Sequence, residues 1–128
     1  MIFADSSYFI ALAREKDRWH KDALKLAEKI NDPLLVSDLI ISESVTMLGS
    51  LEGGKVGKLL YEYFLDNCKI EFIDSEMLAK GMETFLKYDG SISLADAVSV
   101  EMMKENRIKK IISFDADFDK VREIERLH

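Results

Sequence analysis

Four short, mainly apolar runs of three or four residues alternate with stretches of helical periodicity, and this alternation restricts the chain to very few folds. The runs are Ile2 to Ala4, Leu34 to Val36, Ile70 to Ile73 and Ile111 to Phe114. Runs this brief, bounded by cap and turn residues, predict buried strands. Tyr8 to Ala13 predicts a short helix, and Trp19, Ala23, Leu26, Ala27 and Ile30 repeat as a second. Asn31-Asp32-Pro33 stops that helix. Ser37-Asp38 caps a helix from Leu39 to about Leu51, and Gly53-Gly54 breaks it from one carried by Val56, Leu59, Leu60, Tyr63 and Phe64. Asp74-Ser75 opens a helix to about Tyr88, Asp89-Gly90 turns the chain, and Ser93 opens a helix reaching Asn106. Phe118, Val121 and Ile124 also fall at helical spacing in the tail. Strands alternating with helices predict an α/β sandwich around a mostly parallel sheet. At 128 residues this is one domain, 1–128, with a core that needs no disulfide or metal staple.

In parallel α/β sheets, ligands bind beyond the carboxyl ends of the strands. Asp5 follows the first strand and Asp115 the last, but Ser37-Asp38 and Asp74-Ser75 hold equivalent places, so position alone does not select. Asp5 is free for function if Ser6 or Ser7 caps the next helix; otherwise it is itself a cap. Glu43 sits within a helical apolar stripe with Leu39 and Met47 on its own face. A carboxylate buried there costs on the order of several kcal/mol unless paired or metal-bound. A salt bridge, or a place at the edge of the stripe, is the structural alternative. Asp96 fits a capping box with Ser93, and it also projects from a first helical turn. Asp115 belongs to the string Asp115-Ala116-Asp117-Phe118-Asp119, which reads either as an acidic loop or as part of a site.

Net charge is −6, which argues against a general nucleic-acid binder, though a few clustered carboxylates can dominate that sum. The basic groups Arg14, Lys16, Arg18, Lys21 and Lys104, Arg107, Lys109, Lys110 read as solvated surface. Cys68 stands alone, so no intrachain disulfide forms, and His20 and His128 support no zinc site. No run is long enough to cross a bilayer and no leader pattern opens the chain, so a reducing cytoplasm is the expected location and no membrane partner is expected. Gly49 to Val56 nearly spells a P-loop, but Val56 stands where the Mg²⁺-binding hydroxyl belongs. The acidic string fails the calcium-loop pattern, since its twelfth position is Arg126.

Taken in order, four segments resemble the PIN domain family, in particular the small toxin ribonucleases of the VapC type. Ile2 to Tyr8 is similar to the family's opening strand and first acid, Asp5. Val36 to Glu43 resembles its second acidic helix, and Ser93 to Ala97 its third site, with Asp96. Ile112 to Phe118 is similar to its closing strand, hydroxyl residue and fourth acid, Asp115. The resemblance covers essentially the full length. It implies a three-layer α/β/α fold, metal-dependent cleavage of RNA, a homodimer and an antitoxin partner.

Residues and resemblance converge on metal-assisted phosphodiester hydrolysis. Clustered carboxylates suit Mg²⁺ or Mn²⁺, hard cations that prefer oxygen. Asp5 and Asp96 are expected to ligate the principal ion, with Glu43 and Asp115 completing the site through water or a second ion. Ser6 and Ser113 are expected to orient carboxylates or waters, and Asp117 is left open as a further member. Without metal, four close acids repel, and at least one should hold a proton near neutrality. The rival reading is a non-catalytic PIN-like module that binds RNA or protein. An aspartyl phosphatase would need a second acid two residues after Asp5, where Ser7 stands.

Overall fold

Residues 1–128 are described by a computed structural model. Five strands align in one parallel sheet: β1 (Ile2–Ala4), β2 (Leu34–Ser37), β3 (Cys68–Glu71), β4 (Lys110–Ile112) and β5 (Glu125–Leu127), in the order β3-β2-β1-β4-β5. Helices α1 (Ser6–Ala13) and α2 (His20–Lys29) join β1 to β2. Helices α3 (Asp38–Glu52) and α4 (Gly54–Asn67) join β2 to β3, and α5 (Ser75–Lys87) and α6 (Leu94–Glu105) return the chain from β3 to β4. The path steps outward from β1 to β3 and then crosses back beyond β1. Right-handed crossovers put helices on opposite faces when the direction of travel reverses. Accordingly α1 packs on α2 and α3, α3 packs on α4, and α5 pairs with α6. Every residue of β1 is buried, as a parallel strand covered on both faces requires, and Phe3, Leu35, Val36, Ile111 and Ile112 form the centre of the core.

The helix starts follow the cap residues. Ser37 Oγ accepts the Ile40 amide at 3.2 Å, Asp74 the Met77 amide at 2.8 Å, and Ser93 Oγ the Asp96 amide at 3.0 Å. Gly53, at φ 98, makes the break between α3 and α4 in a conformation that favours glycine. These bonds separate the acids that sequence position left equivalent. Asp38 accepts the Ile73 amide at 3.0 Å and Asp74 caps α5, so both are engaged by backbone.

The tail departs from its helical spacing. Residues Ala116–Lys120 form a 3₁₀ turn that buries Phe118, and Glu125–Leu127 then become β5. Without β5, the outer edge of β4 would leave its N–H and C=O groups unpaired. Pairing Lys110 with Glu125 and Ile112 with Leu127 closes that edge.

Helices α5 and α6 meet at Gly81, where an added Cβ would lie 2.4 Å from Val98 Cγ2 and 3.2 Å from its Cα. At Gly49, within α3, an added Cβ meets nothing within 4 Å. Gly81→Ala should therefore destabilise the fold by about 1–3 kcal/mol through overpacking. Gly49→Ala should stabilise it by about 0.5–1 kcal/mol through helix propensity. Thermal denaturation of the two variants checks the opposite signs.

Candidate active site

The topology reverses at β1, whose neighbours are β2 and β4, and the crevice beyond the carboxyl ends of β1 and β4 is the ligand position of a parallel sheet. The register that pairs Ala4 with Ile112 sets the next residues, Asp5 and Ser113, side by side at its floor. Asp5 is 4% exposed, and its carboxylate is satisfied by hydroxyls: Ser7 Oγ and Ser113 Oγ each donate to Oδ2 at 2.8 Å. Both bonds go to one oxygen, so Oδ1 has no side-chain partner. Ser7 Oγ in turn accepts the Phe114 amide at 3.0 Å, and Ser113 Oγ the Asp115 amide at 3.0 Å. One small network thus fixes the end of β1, the start of α1 and the turn after β4.

This corrects the expected capping at α1. Asp5 occupies the N-cap position without making a side-chain cap bond, and neither serine caps the helix. Ser6 Oγ donates instead to Glu43 Oε1. Glu43 is exposed, while its neighbour Ser44 is buried. The carboxylate therefore stands at the edge of the α3 stripe rather than within it. Ser7 is the residue that sequence reasoning undervalued; a hydroxyl two positions after a strand-end acid was the available signal.

Asp96 lies half-buried in the first turn of α6, and the Asp115 side chain accepts the Asp117 amide at 2.9 Å as the cap of the 3₁₀ turn. Single carboxylate oxygens of Asp96, Asp115 and Asp117 all fall within 4.8 Å of one another. Asp117 thus joins the acids at the site. It also pairs with Lys120 Nζ at 3.0 Å, and Lys120 reaches the Ser91 carbonyl at 3.0 Å. Asp119 turns away to a two-bond pair with Arg126, whose Nη1 also donates to the Ser113 carbonyl at 3.1 Å.

The electrostatics tie the set together. Burial pushes Asp96 up to about 7, helped by the negative charges of Asp5 and Asp115 and, more weakly, Glu43; the Ser93 hydroxyl opposes them. Burial also raises Asp5, the Ser7 and Ser113 hydrogen bonds pull it back, and the Glu43 charge raises it further. Asp96 therefore feels Asp5, Asp115 and Glu43, and its pKa is raised toward neutrality, the direction expected for close acids without a counter-charge. The donors are all oxygen, with no Cys or His among the three closest acids, which fits a hard divalent cation.

The PIN domain profile matches residues 2–124. The chain is 25% identical over 120 residues to the 23S rRNA-specific endonuclease VapC20 of Mycobacterium tuberculosis, covering 92% of each protein. Its fold superposes on the crystal structure of M. tuberculosis VapC20, a sarcin-ricin loop cleaving toxin, with a TM-score of 0.89 at 22% identity over 95% of both chains. VapBC2 from Rickettsia felis, bound to a DNA fragment from its promoter, matches with a TM-score of 0.72 at 12% identity over 100% of both chains. Sheet order, switch-point acids and profile agree: the chain belongs to the PIN domain family.

Proposed function

We propose that this protein is a metal-dependent endoribonuclease, the toxin of a toxin–antitoxin pair, that acts in the cytoplasm. The observation that carries the reading is the convergence of Asp96, Asp115 and Asp117 to within 4.8 Å, at the crevice whose floor is Asp5. Asp5, Glu43, Asp96 and Asp115 would hold Mg²⁺ or Mn²⁺. When bound there, a divalent cation supplies Lewis-acid stabilisation of phosphoryl charge and lowers the pKa of water. The Ser7 and Ser113 hydroxyls hold Asp5 Oδ2 and so fix the carboxylate at the crevice floor. Ser6 fixes the rotamer of Glu43. Asp117, shared between the acids and Lys120, is a supporting group whose loss costs less than that of Asp5 or Asp96.

An antitoxin and a second copy of the chain are the proposed protein partners. Their support is apolar surface: Phe72 and Leu86 are 74% and 73% exposed. Phe9, Leu12, Val56, Leu59, Leu60 and Tyr63 line a wholly apolar pocket between α1 and α4. Light scattering of the isolated chain should give a dimer mass.

Asp5→Asn and Asp96→Asn should each abolish Mg²⁺- or Mn²⁺-dependent RNA cleavage while the far-UV spectrum stays native, and EDTA should do the same. Ribosomal RNA is the first substrate to test, because a similar protein is a 23S rRNA-specific endonuclease. Full cleavage by either variant, or in EDTA, would sink the reading, and calorimetry showing no divalent site would leave the non-catalytic module in its place.

A second prediction concerns the metal-free chain. Asp96 keeps a proton in the fold up to about pH 7, whereas an unfolded aspartate loses it near about pH 4. The folded state therefore binds more protons between those values. The associated stability is present below about pH 4 and is lost as pH rises through about 7. Asp96→Asn has no proton to lose, and in EDTA it should be more stable than the native chain by roughly 2 kcal/mol at pH 8 and by much less at pH 5. Urea titrations at the two pH values check this.

A further inference from the structure

Beside the acids lies a pocket of about 300 Å³ that the proposed hydrolysis does not use. Its apolar walls include Trp19, Phe114, Met47 and Leu51. The Trp19 and Phe114 rings are parallel, 4° apart in plane with centroids 5.4 Å apart. The Arg18 guanidinium carbon lies 4.5 Å from the Trp19 ring centroid, and the Asp17 carboxylate accepts the Trp19 backbone amide at 2.8 Å, which fixes the backbone that carries the ring. Half-exposed stacked aromatics that share a pocket with an exposed methionine and leucine are unusual surface to leave in water.

The pocket is continuous with the acid crevice on two elements. Ser7 and Asp115 line it as well. Phe114 sits between Ser113 and Asp115 and is anchored through its amide to Ser7, the residue that holds Asp5. Met47 lies one helical turn beyond Glu43 on α3.

We propose that this pocket is a nucleobase subsite, which takes the unpaired base of a nucleotide flanking the scissile phosphate. The inference rests on the ribonuclease reading and extends it to single-stranded RNA. Every base presents a π-face to an aromatic platform, so stacking tolerates any sequence. Asp17 at the rim, whose Oδ1 takes the Trp19 amide, has a second carboxylate oxygen to accept from an exocyclic amino group. The Arg18 guanidinium on the Trp19 ring places a positive charge at the pocket itself, apart from Lys120 and Arg126, which are paired with Asp117 and Asp119.

Trp19 is the only tryptophan in the chain, so its fluorescence reports the pocket directly. The experiment titrates the full chain, with Ca²⁺ as the divalent ion, with an unstructured RNA hexamer and with the same backbone carrying abasic sites. The intact hexamer should quench Trp19 saturably and the abasic one should not. The double variant Met47→Ala/Leu51→Ala alters only exposed side chains. It should weaken hexamer binding about ten- to a hundredfold and raise KM for RNA cleavage, with kcat little changed. Equal binding of the two hexamers, or RNA cleavage with KM unaltered in the double variant, overturns the subsite while the ribonuclease reading stands. Absence of RNA cleavage by the native chain in Mg²⁺ or Mn²⁺ defeats both. Quenching by an arginine-rich amphipathic peptide and not by RNA assigns the pocket to a protein partner, and also overturns the subsite.

Discussion

The Asp5 carboxylate is buried at the end of the central strand, and a buried carboxylate must have its lone pairs met or give up its charge. The chain meets them with Ser7 and Ser113, brought from opposite ends of the sequence by the parallel register of β1 and β4. Because Ser7 also takes the Phe114 amide and Ser113 the Asp115 amide, the turn carrying Asp115 cannot move without loosening Asp5. Arg126 ties the same turn to β5 through the Ser113 carbonyl. The fifth strand thereby does more than close a sheet edge. It fixes the backbone from which the last acid projects.

At Asp96 the local helix cap and the electrostatics of the crevice oppose each other. Its amide is part of the α6 cap, which favours the helix start. Its side chain, by contrast, is held half-buried beside Asp5 and Asp115, where ionisation is costly enough to push its pKa to about 7. A helix cap alone gives no reason to gather carboxylates around it. A cation bound among these acids would relieve the cost, and its binding would contribute to folding stability by linkage. Lys120 offers a partial internal substitute by pairing with Asp117, the acid at the margin of the cluster.

The inner strands β1, β2 and β4 were legible because buried parallel strands are short apolar runs, whereas the edge strand β3 runs Cys68–Glu71, two residues earlier than the apolar run and not buried. Ser37, Asp74 and Ser93 mark helix starts by a local mechanism that operates here as read. Asp5 and Asp115 were legible for the same reason: each follows a strand and falls at the switch point. What sequence could not sort was Asp38 and Asp74 from Asp5, since that depends on whether a backbone amide claims the side chain. Glu43 was read from a stripe wide enough to place it inside or at its edge, and a rotation of the helix by a fraction of a turn decides between them. The tail was misread because Phe118, Val121 and Ile124 satisfy a helical period over too few residues to outweigh the open edge of β4.

A net charge of −6 argues against binding to nucleic acid through a broad basic face. It does not exclude local recognition, where the contacts are of a different kind. At the crevice the clustered negative charge is what the proposed reaction would use, since a divalent cation held there would face the phosphodiester. One step away, at Trp19 and Phe114, the contact surface is apolar and aromatic and attracts bases rather than phosphates. Phosphate contacts give affinity without discrimination, and their strength falls steeply with salt. An enzyme that holds its substrate by a bridging cation and a stacked base gives up that long-range attraction. In exchange the proposed arrangement would select RNA whose bases are already unpaired, because a base in a duplex must be unstacked before it can reach the platform.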